Sequence, residues 1–352
     1  MAVKQIIKQL VASSAYYSGM LRAVAYGKRA QQARSAPLIL LYHRVVDPAD
    51  PDANAAQPGL SVTPDTFNRQ MAFLADNYQP MSLGRVVEML TNEQEIPRRT
   101  VVVTFDDGWL DNYRQALPIL RNHRVPATVF ISTDFIETGR LFWFVRATRL
   151  HATGSITRDS LSKAIESVDV EDGSKLPAIS SDHVADLDCF CELLKGMEGN
   201  TIEGVLDALS DQLAASVDIE SAPRLTLDWN EVREMSSDLV EIGSHGCGHH
   251  ILSLLSADRL HAELHESKKV IETRIGSDVR LFSYPNGDFS DAVCSAVEAA
   301  GYCGAVTVNQ VSYNSPPSRF ALPRINVNEG LAAGYNGTFS PSLFAAHLTR
   351  VF

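Results

Sequence analysis

The chain has 352 residues, 45% of them apolar, and a formal net charge of −11 at pH 7. This length and apolar content allow one enlarged domain or two ordinary ones around a large core. The acidic balance excludes nucleic acid as the partner, because phosphate binding needs a basic face. Five scattered cysteines (Cys189, Cys191, Cys247, Cys294 and Cys303) exclude a disulfide scaffold, and their odd number fits a reducing compartment.

Residues 1–36 form a basic segment. No Asp or Glu precedes Asp47, whereas Lys4, Lys8, Arg22, Lys28, Arg29 and Arg34 do. Val3, Ile6, Ile7, Leu10, Val11 and Tyr17 recur at helical spacing. Three readings fit. The segment is an amphipathic helix lying on an anionic membrane surface, a helix packed on the following domain, or a cleaved leader ending near Ala23-Val24-Ala25. Lys8 and Gln9 interrupt the apolar core of such a leader, which counts against secretion. The chain is therefore expected in the cytoplasm, with peripheral attachment at the inner membrane as the role open to the helix. No run approaches the ~18 consecutive apolar residues of a membrane span.

Residues 37–352 read as one catalytic domain. Leu38–Tyr42 is an apolar strand ending in His43 and Arg44, followed by a loop from Asp47 to Pro58. Thr63-Pro64 signals a helix start, with Thr63 as the cap, and a further helix is expected over Leu83 to Leu90. Val101-Val102-Val103-Thr104-Phe105 is a β-branched run that ends in Asp106, Asp107, Gly108 and Trp109. Such a run reads as a buried parallel strand that delivers polar residues at its C-terminal end. Tyr113 to Asn122 is helical in pattern, and Ala127–Ile131 is another short strand. Strands alternating with helices predict a parallel α/β architecture, and chemistry at strand C-termini fits a (β/α) barrel.

From about 140 to 225 the strand signals stop. Helical, charged stretches over Ser160–Val168, Cys189–Met197 and Ile202–Val217 predict a helical insertion, longer than an ordinary loop. Lying between the two polar motifs, it is expected to roof the site. Trp143 and Arg146 at its start either reach the groove or pack the insertion's base. A helix beginning at Trp229 leads into a strand over Val240–Gly243, which runs into Ser244-His245-Gly246-Cys247-Gly248-His249. Ser256 to Ile275 reads as a long amphipathic helix with His261 and His265 on a solvated face. Leu281–Tyr284 and Ala305–Val308 complete the strands.

One carboxylate and two imidazoles four residues apart can hold a divalent metal and leave positions open for water and substrate. The second carboxylate is then free to act as a base, which is the layout of metal-assisted hydrolysis. Cys247, between the histidines, is a candidate extra ligand, although small residues at that bend are needed mainly for space.

The motif Thr104-Phe105-Asp106-Asp107-Gly108 followed by Ser244-His245 and His249 resembles the polysaccharide deacetylases of carbohydrate esterase family 4, the NodB homology domain. The likeness spans about residues 37 to 330. Phe282-Ser283-Tyr284-Pro285-Asn286-Gly287 looks like that family's wall of the substrate groove. The resemblance implies an irregular, TIM-like (β/α) barrel of about seven strands. It implies that Asp106 is the catalytic base, that Asp107, His245 and His249 bind a divalent metal, usually zinc, and that Tyr284, Pro285, Trp109 and Arg324 line the substrate site. Ser283 stands where the family motif has an arginine that orients the base; Arg324, in Leu322-Pro323-Arg324-Ile325, and Arg44 are the candidates to replace it. The family's general acid is a histidine near the C-terminus, and after Gly287 this chain has only His347. Tyr42-His43 instead resembles the first strand of the circularly permuted members that deacetylate poly-N-acetylglucosamine, which makes His43 the preferred acid. The implied reaction removes N-acetyl groups from an amino-sugar polysaccharide or oligosaccharide and releases acetate, with the oxyanion held by the metal and by backbone N–H near Tyr284. Two rivals stay open. One is deformylation or deacylation of a lipid-linked amino sugar, which the N-terminal helix mildly favours. The other is a non-catalytic carbohydrate-binding relative, which should have lost a base or ligand; none is lost here.

Overall fold

The structure, a computed structural model, describes residues 2–21, 37–50, 58–168, 179–197, 199–213, 224–308 and 318–349. The apolar runs form β1 (Leu38–Tyr42), β5 (Thr100–Phe105), β6 (Ala127–Ile131), β7 (Val240–Ser244), β8 (Leu281–Ser283) and β9 (Gly304–Thr307). Short pieces add β2 (Arg44–Val45), β3 (Ser61–Val62), β4 (Gln79–Pro80), β10 (Leu322–Pro323) and β11 (Ile325–Asn326). The main sheet runs β10-β9-β8-β7-β6-β5-β1-β11, with β4 beside the start of β5. Its pairings are all parallel.

Residues 322–326 close this sheet into a ring. Leu322 and Pro323 pair with Val306 and Thr307 of β9, while Ile325 and Asn326 lie in register with Leu40 and Leu41 of β1. Only Arg324 separates β10 from β11. Counted as one strand, the segment turns the eight-strand path into a seven-stranded barrel, as the resemblance implied. The sequence reading did not find this strand. Its apolar run is short, and Pro323 lacks the N–H of an ordinary ladder residue. Here the proline sits where the chain changes partner.

The alternation of each strand sorts its side chains into two layers. Ile39, Val102, Phe130, Val306 and Leu322 pack with Leu83, Val86 and Val87 of the helix Leu83–Thr91, which plugs the N-terminal end of the barrel. The Gly84 N–H, at the start of that helix, donates to Glu241 Oε2 on β7 at 2.9 Å. Each fully buried Val, Leu or Phe contributes about 1.5–3 kcal/mol relative to exposure, so this end carries stability. Leu40, Val101, Val103, Val129 and their neighbours face the outer helices.

Helices Trp143–Ala152, Arg158–Glu166, Leu187–Lys195 and Gly199–Leu213 share a separate core that includes Leu150, Leu161, Phe190 and Leu206. Residues 214–217 of the helix expected there lie outside the described residues. Arg146 is paired with Glu203 and Asp207 of the Gly199–Leu213 helix and so packs the insertion's base. An aromatic layer of Trp109, Phe135, Phe142 and Phe144 joins this unit to the barrel.

Ala2–Tyr17 is helical and lies on the C-terminal helix Pro341–Leu348. Lys8 Nζ sits 3.3 Å from His347 Nε2, and Ser13 Oγ 3.0 Å from Ser342 Oγ. His347 is thus engaged at this helix pair. Among the described residues no helix is long and apolar enough to cross a membrane.

Candidate active site

The polar motifs converge at the C-terminal ends of the strands, the end that carries chemistry in such barrels. β5 leads into Asp106 and Asp107, β7 into His245, and β1 into His43. The turns are sharp. Asp107 and Gly108 have φ of +74° and +73°, and a side chain at 108 would place its Cβ 2.9 Å from Ile131 Cγ2. Gly246 and His249 follow the same left-handed course at +80° and +56°. Asp and His tolerate that region better than most residues, and strain of this kind concentrates where function over-determines the backbone.

Asp107, His245 and His249 offer three ligand atoms within 4.8 Å of one another. Asp107 Oδ1 lies 3.6 Å from His245 Nε2 and 3.3 Å from His249 Nε2. That oxygen is buried and has no hydrogen-bond partner. Its twin, Oδ2, accepts the Trp109 Nε1–H at 2.9 Å. His245 Nδ1–H donates to the Ser283 carbonyl at 2.7 Å, which leaves the Nε2 lone pair facing Asp107. Burial pushes the His245 pKa down to about 4, so its imidazole is neutral. Burial acts to raise the Asp107 pKa, but contact with His249 and the nearby His43 and His245 outweigh it, and the carboxyl is held well below its usual range. An orphaned carboxylate oxygen opposite two imidazole nitrogens fits a divalent cation, with the outer atoms of Asp107 and His245 already fixed by protein partners, while His249 Nδ1 has none.

Cys247 does not join this group. Its thiol donates to the Glu263 carbonyl at 3.7 Å, and burial pushes its pKa up to about 12, far from the thiolate a metal requires. Glu263 is a residue that the sequence reading passed over. Its carboxylate accepts the Cys247 N–H at 2.7 Å and the Gly248 N–H at 3.2 Å, and so holds the histidine turn from the helix Ala257–Ile275. His250 Nε2 lies 3.6 Å from the same carboxylate. His261 is exposed and stacks on His265, ring to ring at 4.0 Å.

Asp106 is locked by Arg324. Nη1 donates to Oδ1 at 2.8 Å and Nη2 to Oδ2 at 2.6 Å, while the Ser283 hydroxyl donates to Oδ2 at 3.2 Å. Nη2 also reaches the Ser283 oxygen at 3.0 Å, and Nη1 the Thr104 hydroxyl at 3.1 Å. Burial acts to raise the Asp106 pKa; Arg324 first, then His245 and His43, bring it below the ordinary value. Arg324 is fully buried, so it backs Asp106 rather than lining the substrate site. Arg44 is occupied elsewhere, with Nε on Asp111 Oδ2 at 2.8 Å and its guanidinium 4.7 Å over the Trp109 ring.

His43 follows β1 directly, and its carbonyl accepts Asn112 Nδ2–H at 2.8 Å. Its Nδ1 is buried without a partner. Burial lowers its pKa, while Asp107 and Asp106 pull it upward, so the ring feels both carboxylates.

Three expected substrate contacts are placed differently. Trp109 is only 2% exposed and serves Asp107. Tyr284 is buried, with its hydroxyl donating to the Phe320 carbonyl at 2.8 Å. Its backbone N–H donates to Val306 O at 3.2 Å and is not free for an oxyanion. Pro285 is also buried, leaving Asn286 exposed at that wall. Trp143, in contrast, lines a cavity of about 190 Å³ together with Arg140, Asn200 and His249.

A parallel barrel that ends in an Asp/His/His cluster beside an arginine-locked aspartate defines a (β/α)-barrel hydrolase. The sequence profile of the polysaccharide deacetylases matches residues 93–184 and 191–305, more than half of the chain, and the chain belongs to that family. It is accordingly a hydrolase that acts on linear amide C–N bonds. The Bacillus subtilis protein named for this family, YxkH, is 21% identical over 306 residues, 87% of this chain and 76% of that protein. The poly-β-1,6-N-acetyl-D-glucosamine N-deacetylase of Escherichia coli is 36% identical over 98 residues, 28% of this chain and 14% of that protein. Among solved structures, IcaB from Ammonifex degensii superposes with a TM-score of 0.54 at 16% identity, covering 89% of this chain and 97% of that one. The Streptococcus pyogenes deacetylase PplD, solved in complex with acetate, gives 0.53 at 19% identity, covering 86% and 95%. At these identities the superpositions establish the fold alone.

Proposed function

We propose that the enzyme removes N-acetyl groups from an amino-sugar polysaccharide or oligosaccharide with the help of a divalent metal, zinc by the chemistry of its ligands. The observation that carries this reading is the orphaned Asp107 Oδ1 facing His245 and His249, next to an Asp106 fixed by Arg324. One carboxylate and two imidazoles form a donor set suited to zinc with open positions. The 36% identity to an N-deacetylase of poly-N-acetylglucosamine, though short, supports a polymeric amino sugar as substrate. The reading treats residues 37–352 as the catalytic unit, with about 140–225 as an insertion over the site.

Asp107, His245 and His249 would hold the ion. When bound it supplies Lewis-acid polarisation of the acetyl carbonyl and a water of lowered pKa. Asp106 takes a proton from the attacking water, and Arg324 keeps its carboxylate oriented and ionised for that transfer. His43 gives a ring proton to the departing nitrogen as the C–N bond breaks. Water is thereby divided between the products, acetate and a free amino sugar.

The test is acetate release by chelator-treated protein, with zinc added back, across chitooligosaccharides, peptidoglycan fragments and lipid-linked amino sugars. Zinc-restored release from the N-acetylated oligosaccharides supports the proposal. Asp106→Asn should retain zinc and lose turnover, while His245→Ala should lose both. Turnover confined to lipid-linked substrates would select the deacylase alternative, and zinc binding without release from any substrate would select a carbohydrate-binding relative.

A further inference from the structure

The N-terminal helix is docked the unusual way round. It meets the domain through small and polar residues. Ala12 and Ala15 are buried, Ser13 touches Ser342, and Lys8 touches His347. Gln5 Nε2–H donates to Ala333 O at 3.4 Å, and the Tyr335 N–H donates to Gln9 Oε1 at 2.9 Å. Apart from Tyr16, which packs against the core, the helix's large apolar side chains point outward. Ile6, Ile7, Leu10, Val11 and Tyr17 line one face, with Leu10 64% and Tyr17 82% exposed. A contiguous apolar row turned to water on a well-docked element marks an interaction surface.

Charge identifies what covers it. Residues 1–36 contain six cations and no acid; removing those six from the whole-chain −11 leaves −17 on residues 37–352. A second copy seated row to row would bring two cationic segments together. A charged polymer would offer no apolar phase for Leu10 and Tyr17. An anionic lipid surface complements both the row and the net positive charge of the segment that carries it. We propose that this helix seats the enzyme on an anionic membrane surface, with Ile6, Ile7, Leu10, Val11 and Tyr17 inserted among the lipids. The anchoring residues Ala333 and Tyr335 lie on the chain that leaves the C-terminal end of β11. At the helix's other end Tyr16 packs on Phe73, their ring centroids 6.3 Å apart. The proposal stands whatever the enzyme's substrate is, because its readout is binding.

The experiment is co-sedimentation of the full chain with phosphatidylcholine vesicles and with vesicles that also contain phosphatidylglycerol, in low and high salt. Binding should be at least about tenfold stronger to the anionic vesicles and weaken in high salt. Leu10→Asp and Ile7→Asp should abolish it while thermal melting and circular dichroism stay unchanged. No binding to anionic vesicles overturns the proposal, and so does equal, salt-insensitive binding to both compositions. A wild-type dimer that Leu10→Asp converts to monomer also overturns it and assigns the row to a second copy of the chain.

Discussion

Arg324 grips Asp106 with both arms of its guanidinium, at 2.8 and 2.6 Å, across a sequence separation of 218 residues. The bond joins the strand that closes the barrel to the strand that carries the catalytic motif. Removing one partner of a buried pair leaves an uncompensated charge, which costs on the order of 3–5 kcal/mol. Arg324→Met should therefore destabilise strongly and abolish turnover. Adding Asp106→Asn to it should recover most of the stability and none of the activity. Arg324→Lys keeps the charge but not the fork, so roughly a 10- to 100-fold loss of kcat is expected. Denaturant unfolding and acetate release measure both effects. An Arg324→Met enzyme with unchanged turnover would show that Asp106 needs no orienting partner.

Trp109 bonds Asp107 Oδ2 through Nε1–H at 2.9 Å and packs on Phe142 with ring centroids 5.2 Å apart. Trp109→Phe removes the donor and keeps most of the packing. Outer partners of metal ligands typically control about 10- to 100-fold in affinity, so zinc binding by calorimetry should weaken by that amount while the melting temperature barely moves. Unchanged zinc affinity would reduce Trp109 to packing alone.

The parts of this site that were legible from sequence are those encoded locally. The β-branched run before Asp106 and the small residues around His245 and His249 each carry their own strand and turn signals. The parts that were not legible depend on closure of the ring. Arg324 and Arg44 were both candidates to orient the base; that Arg324 is the one to meet Asp106 depends on residues 322–326 pairing with β9 on one side and β1 on the other, and Pro323 hides that strand from a propensity reading. Glu263 lies on a helix whose sequence shows only a long amphipathic pattern. Its partners are backbone N–H groups of Cys247 and Gly248, which leave no mark in the sequence. The family pattern likewise suggested Tyr284 and Trp109 as groove residues, yet their side chains turn inward to Phe320 and Asp107.

His245 makes stability depend on pH in a defined direction. Its unfolded value lies near 6.5, while burial holds the folded ring neutral down to about 4. Between these values the unfolded chain binds a proton that the folded protein does not, so stability falls as pH falls. The gap is worth about 3 kcal/mol. Asp107 and Asp106, both lowered, add losses of the same sign at still lower pH. Unfolding free energy of chelator-treated protein should drop between pH 7 and about 4.5, and His245→Gln should flatten that slope. Equal slopes in the two proteins would show that the ring already takes up its proton in the folded state.

His43 sets the last test, because amide cleavage needs a proton for the nitrogen and ester cleavage with a good leaving group does not. The ring sits after β1 with Nδ1 buried and unpaired, under the influence of both aspartates. His347, the alternative donor, is tied to Lys8 on the far helix pair. General acid catalysis contributes about 10²- to 10⁴-fold. His43→Ala should slow release of acetate from an N-acetylated oligosaccharide by that factor and leave turnover of an activated aryl acetate within severalfold of wild type. Burial lowers the His43 pKa, so fewer rings carry the donated proton as pH rises, and the alkaline fall of amide turnover should disappear in the variant. If amide and aryl acetate slow by the same factor, His43 is structural and the proton reaches the nitrogen by another route.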